Sequence, residues 1–400
     1  MSTAVLTTNR LELSSIANRT LRAAVGFWFA VALIGQLALG FTVASFYGLT
    51  AVRGDLTRWG RFVSHGYVPG DHMGNLALSM HVLSAAIIMF AGMIQFVPKV
   101  RSRFPAFHRW NGRVYMLMAV TLSAAGLYMT WIRGSVGDLS VHLASTANAI
   151  LIWLFGAIAL RYAMVRDFRE HRRWALRFFI VVSASWFFRV MFFLSLIVLQ
   201  RPFGFDPNTF SGPFITFMAF GQFLVPLAVL EIYLRAQDRP GALRRFATAA
   251  MLFVLTLATG AGLLAVAGAV WVPQLKAAYD SRKSIAEILS TTIASGGTDA
   301  GLRRYRDLKA AAPTTYNFDE EELNNLGYQF LRVKKFKEAI AILQLNVEAY
   351  PKSSNVYDSL GEAYMDDENK ALAIVNYQKS LDLNPKNGGA AKMLQKLRAQ

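Results

Sequence analysis

The sequence predicts an all-α protein: a polytopic membrane bundle of about seven spans, followed by a soluble tail of helical repeats. Three observations lead there. Of 400 residues, 54% are hydrophobic and only 17% are charged, whereas an average soluble domain carries about a quarter charged residues. Apolar stretches of spanning length, roughly 20 residues, recur at about 23–48, 75–98, 114–132, 139–164, 175–199, 214–234 and 247–272. From Pro273 onward the chain turns polar and keeps a helical period. The expected organisation is a seven-span domain at 1–272 with a histidine-bearing core at about 75–200, a helical linker at 273–318, and a repeat domain at 319–400.

Charge sets the orientation. The formal net charge is +17, but the basic residues alternate between connections. Arg10, Arg19 and Arg22 precede the first span. Lys99, Arg101, Arg103, Arg109 and Arg113 lie between the second and third, and Arg161, Arg166, Arg169, Arg172, Arg173 and Arg177 between the fourth and fifth. Arg235, Arg239, Arg244 and Arg245 lie between the sixth and seventh. The other connections hold only Arg53, Arg58, Arg61, Arg133 and Arg201. Cytoplasmic loops retain positive charge, so the expected amino terminus is cytoplasmic and, after seven crossings, the tail is extracytoplasmic. The basic balance reads as topology, with no nucleic-acid partner. The first apolar run, about 26 residues, is too long for a signal peptide core and reads as an uncleaved anchor. With no cysteine, disulfides, iron–sulfur clusters and covalent haem attachment are excluded.

The tail carries the most specific motif. Leu326, Gly327, Phe330, Ala339, Leu343 and Pro351 are matched 34 residues later by Leu360, Gly361, Tyr364, Ala373, Tyr377 and Pro385. Small residues let two helices approach, aromatics fill the seam, and proline ends the second helix. This spacing is identified as the tetratricopeptide repeat. Residues from about Gly388 read as a capping helix, and segments near 281–293 and 298–310 as a further helix pair. The stretch containing "LNVEAYPKSSNVYDSLGEAY" also resembles tails of secreted bacterial serine hydrolases. That resemblance implies an extracytoplasmic location, and the repeat implies a protein or peptide partner.

Four of the six histidines fall on four consecutive spans, at intervals of 27, 34 and 29 residues. His81 and His142 lie near the outer face, His108 and His171 near the inner. His81 sits about six residues inside its span, roughly 9 Å deep, where an ionisable group is costly and marks a polar site. Paired imidazoles are a usual way to hold haem b. Arg109, Arg113, Arg172 and Arg173 beside the inner pair match propionate carboxylates in geometry. An inner site for a quinone headgroup or lipid phosphate is the alternative. Arg189, embedded in the fifth span, needs a partner: an outer haem propionate, or Asn148 and helix carbonyls.

The pieces "HVLSAAIIMFAGMIQFVP", "FHRWNGRVY" and "EHRRWALRFF", within about 75–193, resemble an uncharacterised family of bacterial multipass membrane proteins. The histidine order is similar to that of the di-haem transmembrane b-type cytochromes. That likeness implies one haem shared by His81 and His142 and a second shared by His108 and His171. No ascorbate-site sequence accompanies it. His65, Asp71 and His72 in the first outer loop lack standard metal-site spacing and read as a solvated loop.

The expected function is therefore electron transfer by one or two haem b groups in a bacterial inner membrane, with no other cofactor. Membrane lipid and a partner of the tail are the expected contacts, and homo-oligomerisation is left open. The competing reading is a non-enzymatic scaffold or sensor, in which the bundle anchors the tail and the histidines serve headgroups and packing. A transporter would show internal symmetry and midplane polar residues, and neither is evident.

Overall fold

Helix α1 runs from Ser2 to Val52. Its 51 residues extend about 76 Å, well beyond a hydrocarbon core of about 30 Å. The computed structural model describes residues 2–63, 66–68, 70–134, 137–200, 204–206 and 209–398, in two compact units, Met1–Tyr279 and Asp280–Gln400.

In the first unit, α1 is followed by α2 (His72–Gln95), the short α3 (Pro98–Arg103) and α4 (Pro105–Tyr128), which continues through a π-helical turn at Met129–Gly134. Next come α5 (Leu139–Met164), α6 (Phe168–Val182), α7 (Ala184–Leu199) and α8 (Pro213–Asp238). Helix α9 (Ala242–Val266) joins α10 (Val272–Tyr279) through a π-helical stretch at Ala267–Trp271. Local chemistry sets the starts. The side chains of Asp71, Asp138 and Asp167 cap α2, α5 and α6, and prolines open α3, α4 and α8, where their missing N–H costs nothing.

Six helical runs are long and apolar enough to cross a membrane: Glu12–Val52, His72–Gln95, Pro105–Gly134, Leu139–Met164, Pro213–Asp238 and Ala242–Tyr279. The apolar stretch expected as a fifth span at 175–199 is instead the pair α6 and α7, bent by 56°. The break falls at Ser183, whose hydroxyl accepts a hydrogen bond from the Gln36 amide of α1 at 3.0 Å. A side chain inserted at a helix junction is a recognised cause of such kinks. The last run also continues to Tyr279, seven residues past the expected end at 272.

Helix α1 packs on α9 and α2, α2 on α4, α5 on α6, and α7 on α8 and α9. The shared core is large and aromatic: Tyr115, Phe178, Phe179, Trp186 and Phe223 are all buried. In the glycine-rich run of α9, Gly262 sits at the contact, where an added Cβ would stand 2.5 Å from the Val190 carbonyl oxygen. Gly260 and Gly268 face open space. At the end of α10, Arg58 donates to the Ala277 carbonyl at 2.9 Å and Arg53 to the Ala278 carbonyl at 2.8 Å. Cations at a helix C-terminus satisfy its last carbonyls and oppose its dipole.

The second unit consists of α11 (Ile285–Gly296), α12 (Thr298–Ala311), α13 (Glu320–Arg332), α14 (Phe336–Ala349), α15 (Ser354–Asp366), α16 (Lys370–Leu383) and α17 (Gly388–Arg398). Two short strands, β1 (Lys283–Ser284) and β2 (Tyr316–Asn317), pair in parallel. Helices pair in sequence order, α11 with α12, α13 with α14 and α15 with α16, and α17 packs on α16. An added Cβ on Gly327 would lie 2.6 Å from Leu343 Cγ, and one on Gly361 would lie 3.0 Å from the Tyr377 ring. Glycine is thus what lets each pair close. Ile285, Leu289, Ile293 and Tyr305, within the expected linker, join one core with Leu323, Leu343, Leu360 and Tyr377.

Candidate functional site

Helices α2, α4, α5 and α6 follow one another by packing contact. The ring is closed by Phe179 of α6, whose ring centroid lies 4.8 Å from that of Phe96 at the end of α2. Helices α2 and α5 therefore occupy one diagonal and α4 and α6 the other. Helix α4 packs against both α2 and α5. His81 and His142 fall on the first diagonal, His108 and His171 on the second.

Each diagonal carries one imidazole anchored to a backbone carbonyl. His81 Nδ1 lies 3.1 Å from the Leu122 carbonyl oxygen of α4, and the ring rests over Gly126. His171 Nδ1 lies 2.8 Å from the Ala159 carbonyl oxygen of α5. In both, Nδ1–H donates, which fixes the tautomer and leaves Nε2 as the nitrogen with a lone pair. The other member of each diagonal has a buried ring nitrogen with no partner among the described residues: Nε2 of His142 and Nδ1 of His108.

Neighbouring groups hold these rings. Trp131 donates to Thr146 Oγ1 at 2.9 Å and sets its ring edge-on to His142, centroids 5.4 Å apart. Thr146 Oγ1 in turn donates to the His142 carbonyl. At the other end of α4 Gln95 donates to the His108 carbonyl at 3.1 Å, and Asn111 to the Ala91 carbonyl at 2.9 Å, tying α4 to α2. His171 and Arg109 both lie within electrostatic reach of His108. His81 and His142 both pack on the C-terminal end of α4 and its π-helical continuation, from the α2 and α5 sides.

The arginines divide. Arg189 donates to the carbonyl and hydroxyl of Ser185, one turn back on α7. It lies within electrostatic reach of His81 and Tyr47. Of the protein partners expected for it, a helix carbonyl is found and Asn148 is not; Asn148 Oδ1 is buried with no partner among the described residues. Arg109, Arg113 and Arg172 are exposed. Arg113 lies over the Trp110 ring, 4.8 Å from its centroid, and Arg172 reaches electrostatically toward Tyr233 of α8. Arg173 pairs with Asp238 at 2.7 Å and Arg177 with Glu231 at 2.7 Å.

In the loop between α1 and α2, Asp71 has a structural task. It caps α2 through Gly74 N–H at 2.8 Å and pairs with Arg133 at 2.9 Å. Arg133 also donates to the Gly66 carbonyl and Asn75 Oδ1. His72 is exposed on the first turn of α2, and His65 lies outside the described residues. Among the described residues no three histidine or carboxylate groups gather as a metal site. The Asp71–Arg133 clamp and the caps from Arg53 and Arg58 had no signature in the sequence, since each joins residues far apart in the chain; Gln36, an amide within an apolar span, was legible as an interhelical hydrogen-bonding residue, but its partner Ser183 was not.

Residues 78–225 match a family model described as a predicted membrane protein (DUF2306). No curated protein matches the chain. With its apolar helices, this makes the chain a multipass membrane protein, and the matched stretch contains all four histidines and Arg189.

Proposed function

We propose that the bundle is a membrane b-type haem protein that moves electrons, with His81 and His142 serving an outer haem and His108 and His171 an inner one. The observation that carries this reading is the match of the two diagonals. On each, one imidazole is held through Nδ1 by a carbonyl, the second-sphere contact typical of metal-bound histidine. Its diagonal partner keeps a buried ring nitrogen that nothing among the described residues satisfies, which is costly unless a ligand takes it.

Haem, when bound, supplies a one-electron iron couple. The protein's own groups do the rest. Leu122 and Ala159 carbonyls orient His81 and His171, Trp131 braces His142, and Arg189 places positive charge beside the outer site. Arg109, Arg113 and Arg172, all exposed, face headgroups. In this reading the protein lies in a bacterial inner membrane with its amino terminus cytoplasmic. The alternation of basic connections and an odd number of crossings, counting α6 and α7 as one, support that. The tail is a tetratricopeptide domain that recruits a protein or peptide partner outside; the 34-residue spacing and the glycine contacts at Leu343 and Tyr377 support it. The protein purified in mild detergent is then expected to show a sharp b-type α-band on dithionite reduction. His81→Ala and His142→Ala should each weaken that band, and a colourless protein after haem reconstitution would refute the reading.

The exposure of Arg109, Arg113 and Arg172 favours a second reading, a non-enzymatic anchor or scaffold whose basic face meets lipid and whose tail binds the partner. It predicts a colourless protein that still captures that partner.

A further inference from the structure

On the basic side of the bundle a cavity of about 190 Å³ opens between α1, α8 and α9, lined by Asn18, Leu21, Arg22, Tyr233, Gln237 and Arg245. Its surroundings are apolar below, where Leu21, Ala24, Ala236, Ala249 and Leu252 form a small buried cluster. Its wall is polar. Gln237 donates to Tyr233 Oη at 2.6 Å, and Arg245 is held by the Ala236 carbonyl and Ser14 Oγ, both at 3.3 Å. Arg22 is exposed and has no hydrogen bond or ion pair among the described residues.

The charge of this cavity is uncompensated. No Asp or Glu lines it. The nearest carboxylates in sequence are committed elsewhere, Asp238 to Arg169 and Arg173 and Glu231 to Arg177. Arg172 adds a third positive charge within electrostatic reach of Tyr233. Two guanidiniums, two amides and a phenol converge from three helices, and guanidinium geometry matches phosphate oxygens.

We infer that this cavity binds the phosphate group of an anionic membrane lipid. Its volume decides against a whole soluble ligand such as a nucleotide, because sites that enclose molecules of that size run to roughly 300–1,000 Å³. A phosphate headgroup fits, with the acyl chains lying outside along the spans. The location agrees: the cavity is at the ends of three spanning helices, where basic pockets between helices meet anionic headgroups.

The test is native mass spectrometry of the delipidated full-length protein, titrated with phosphatidylglycerol, phosphatidylcholine or inorganic phosphate. Phosphatidylglycerol should bind in preference to phosphatidylcholine. Arg22→Gln and Arg245→Gln should each weaken that binding roughly fivefold, whereas Arg239→Gln, on the same face but outside the cavity, should not. Inorganic phosphate that competes at millimolar concentration would identify free phosphate as the source; failure to compete identifies the lipid headgroup. Equal binding of the two lipids, or wild-type affinity in the Arg22→Gln protein, overturns the inference. Arg22 carries the decision if Arg245→Gln fails to fold, because its side chain makes no hydrogen bond or ion pair among the described residues.

Discussion

Gln36 of α1 and Ser183, 147 residues apart in the chain, meet in the buried core through a 3.0 Å hydrogen bond from the Gln36 amide to the Ser183 hydroxyl. The bond sits where α6 gives way to α7 and the helix direction changes by 56°. On the far limb of the bend, Arg189 lies within electrostatic reach of His81. Removing one partner strands the other in an apolar interior. Ser183→Ala is expected to cost about 1–2 kcal/mol, whereas Gln36→Leu combined with Ser183→Ala should recover part of that loss. Thermal unfolding of the single and double variants in one detergent checks the order.

Arg133 is nearly enclosed, its side chain 7% exposed, and it binds Asp71, Gly66 and Asn75 at once. Arg133→Ala should destabilise the outer loop by about 2–3 kcal/mol. Asp71→Asn should cost less, because an amide oxygen still caps α2. Proteolysis rates in the loop before α2 measure both.

In the tail, Gly327→Ala should be worse than Gly361→Ala. The new methyl would meet Leu343 Cγ at 2.6 Å in the first case and the edge of the Tyr377 ring at 3.0 Å in the second. Overpacking of this kind costs about 1–3 kcal/mol, against a gain of about 1 kcal/mol in helix propensity. Hydrogen exchange across α13 and α14 in the full-length protein should show faster opening for Gly327→Ala.

Burial pushes the Glu362 carboxyl above its ordinary range, and nearby Asp366 and Asp358 push it the same way; burial also raises Asp358 and Asp366. The native tail therefore holds these protons more tightly than the unfolded chain does. The stabilisation from protonation is present at acid pH and is lost as pH rises through the raised native values. Exchange in α15 should thus be slower at pH 5 than at pH 7.5. Glu362→Gln, which keeps an acceptor for the Tyr328 hydroxyl at 2.7 Å, should flatten that dependence.

The spans were legible because a bilayer demands long apolar runs, and Pro98, Pro105 and Pro213 mark helix starts in the sequence. The bend was not legible. Pro226, the residue type that ordinarily breaks helices, lies inside the continuous α8, while the break falls at a serine in an apolar run. The Gln36 amide that meets this serine is on another helix. The histidines were legible as a pattern because spacing sets depth, but depth does not set direction. Neighbouring residues on a helix point about 100° apart, so Arg109 and Arg172 cannot share the faces of His108 and His171. Both are exposed in the structure, where adjacency in sequence suggested convergence.

The measurement that tests the central claim most directly is haem content per chain, by pyridine haemochrome assay, in the wild type and in two paired variants. His81→Ala with His142→Ala should remove one haem, and His108→Ala with His171→Ala the other, from a wild type that holds two. A reconstituted wild type without haem, or haem content unchanged by both paired variants, would contradict the assignment of these four histidines.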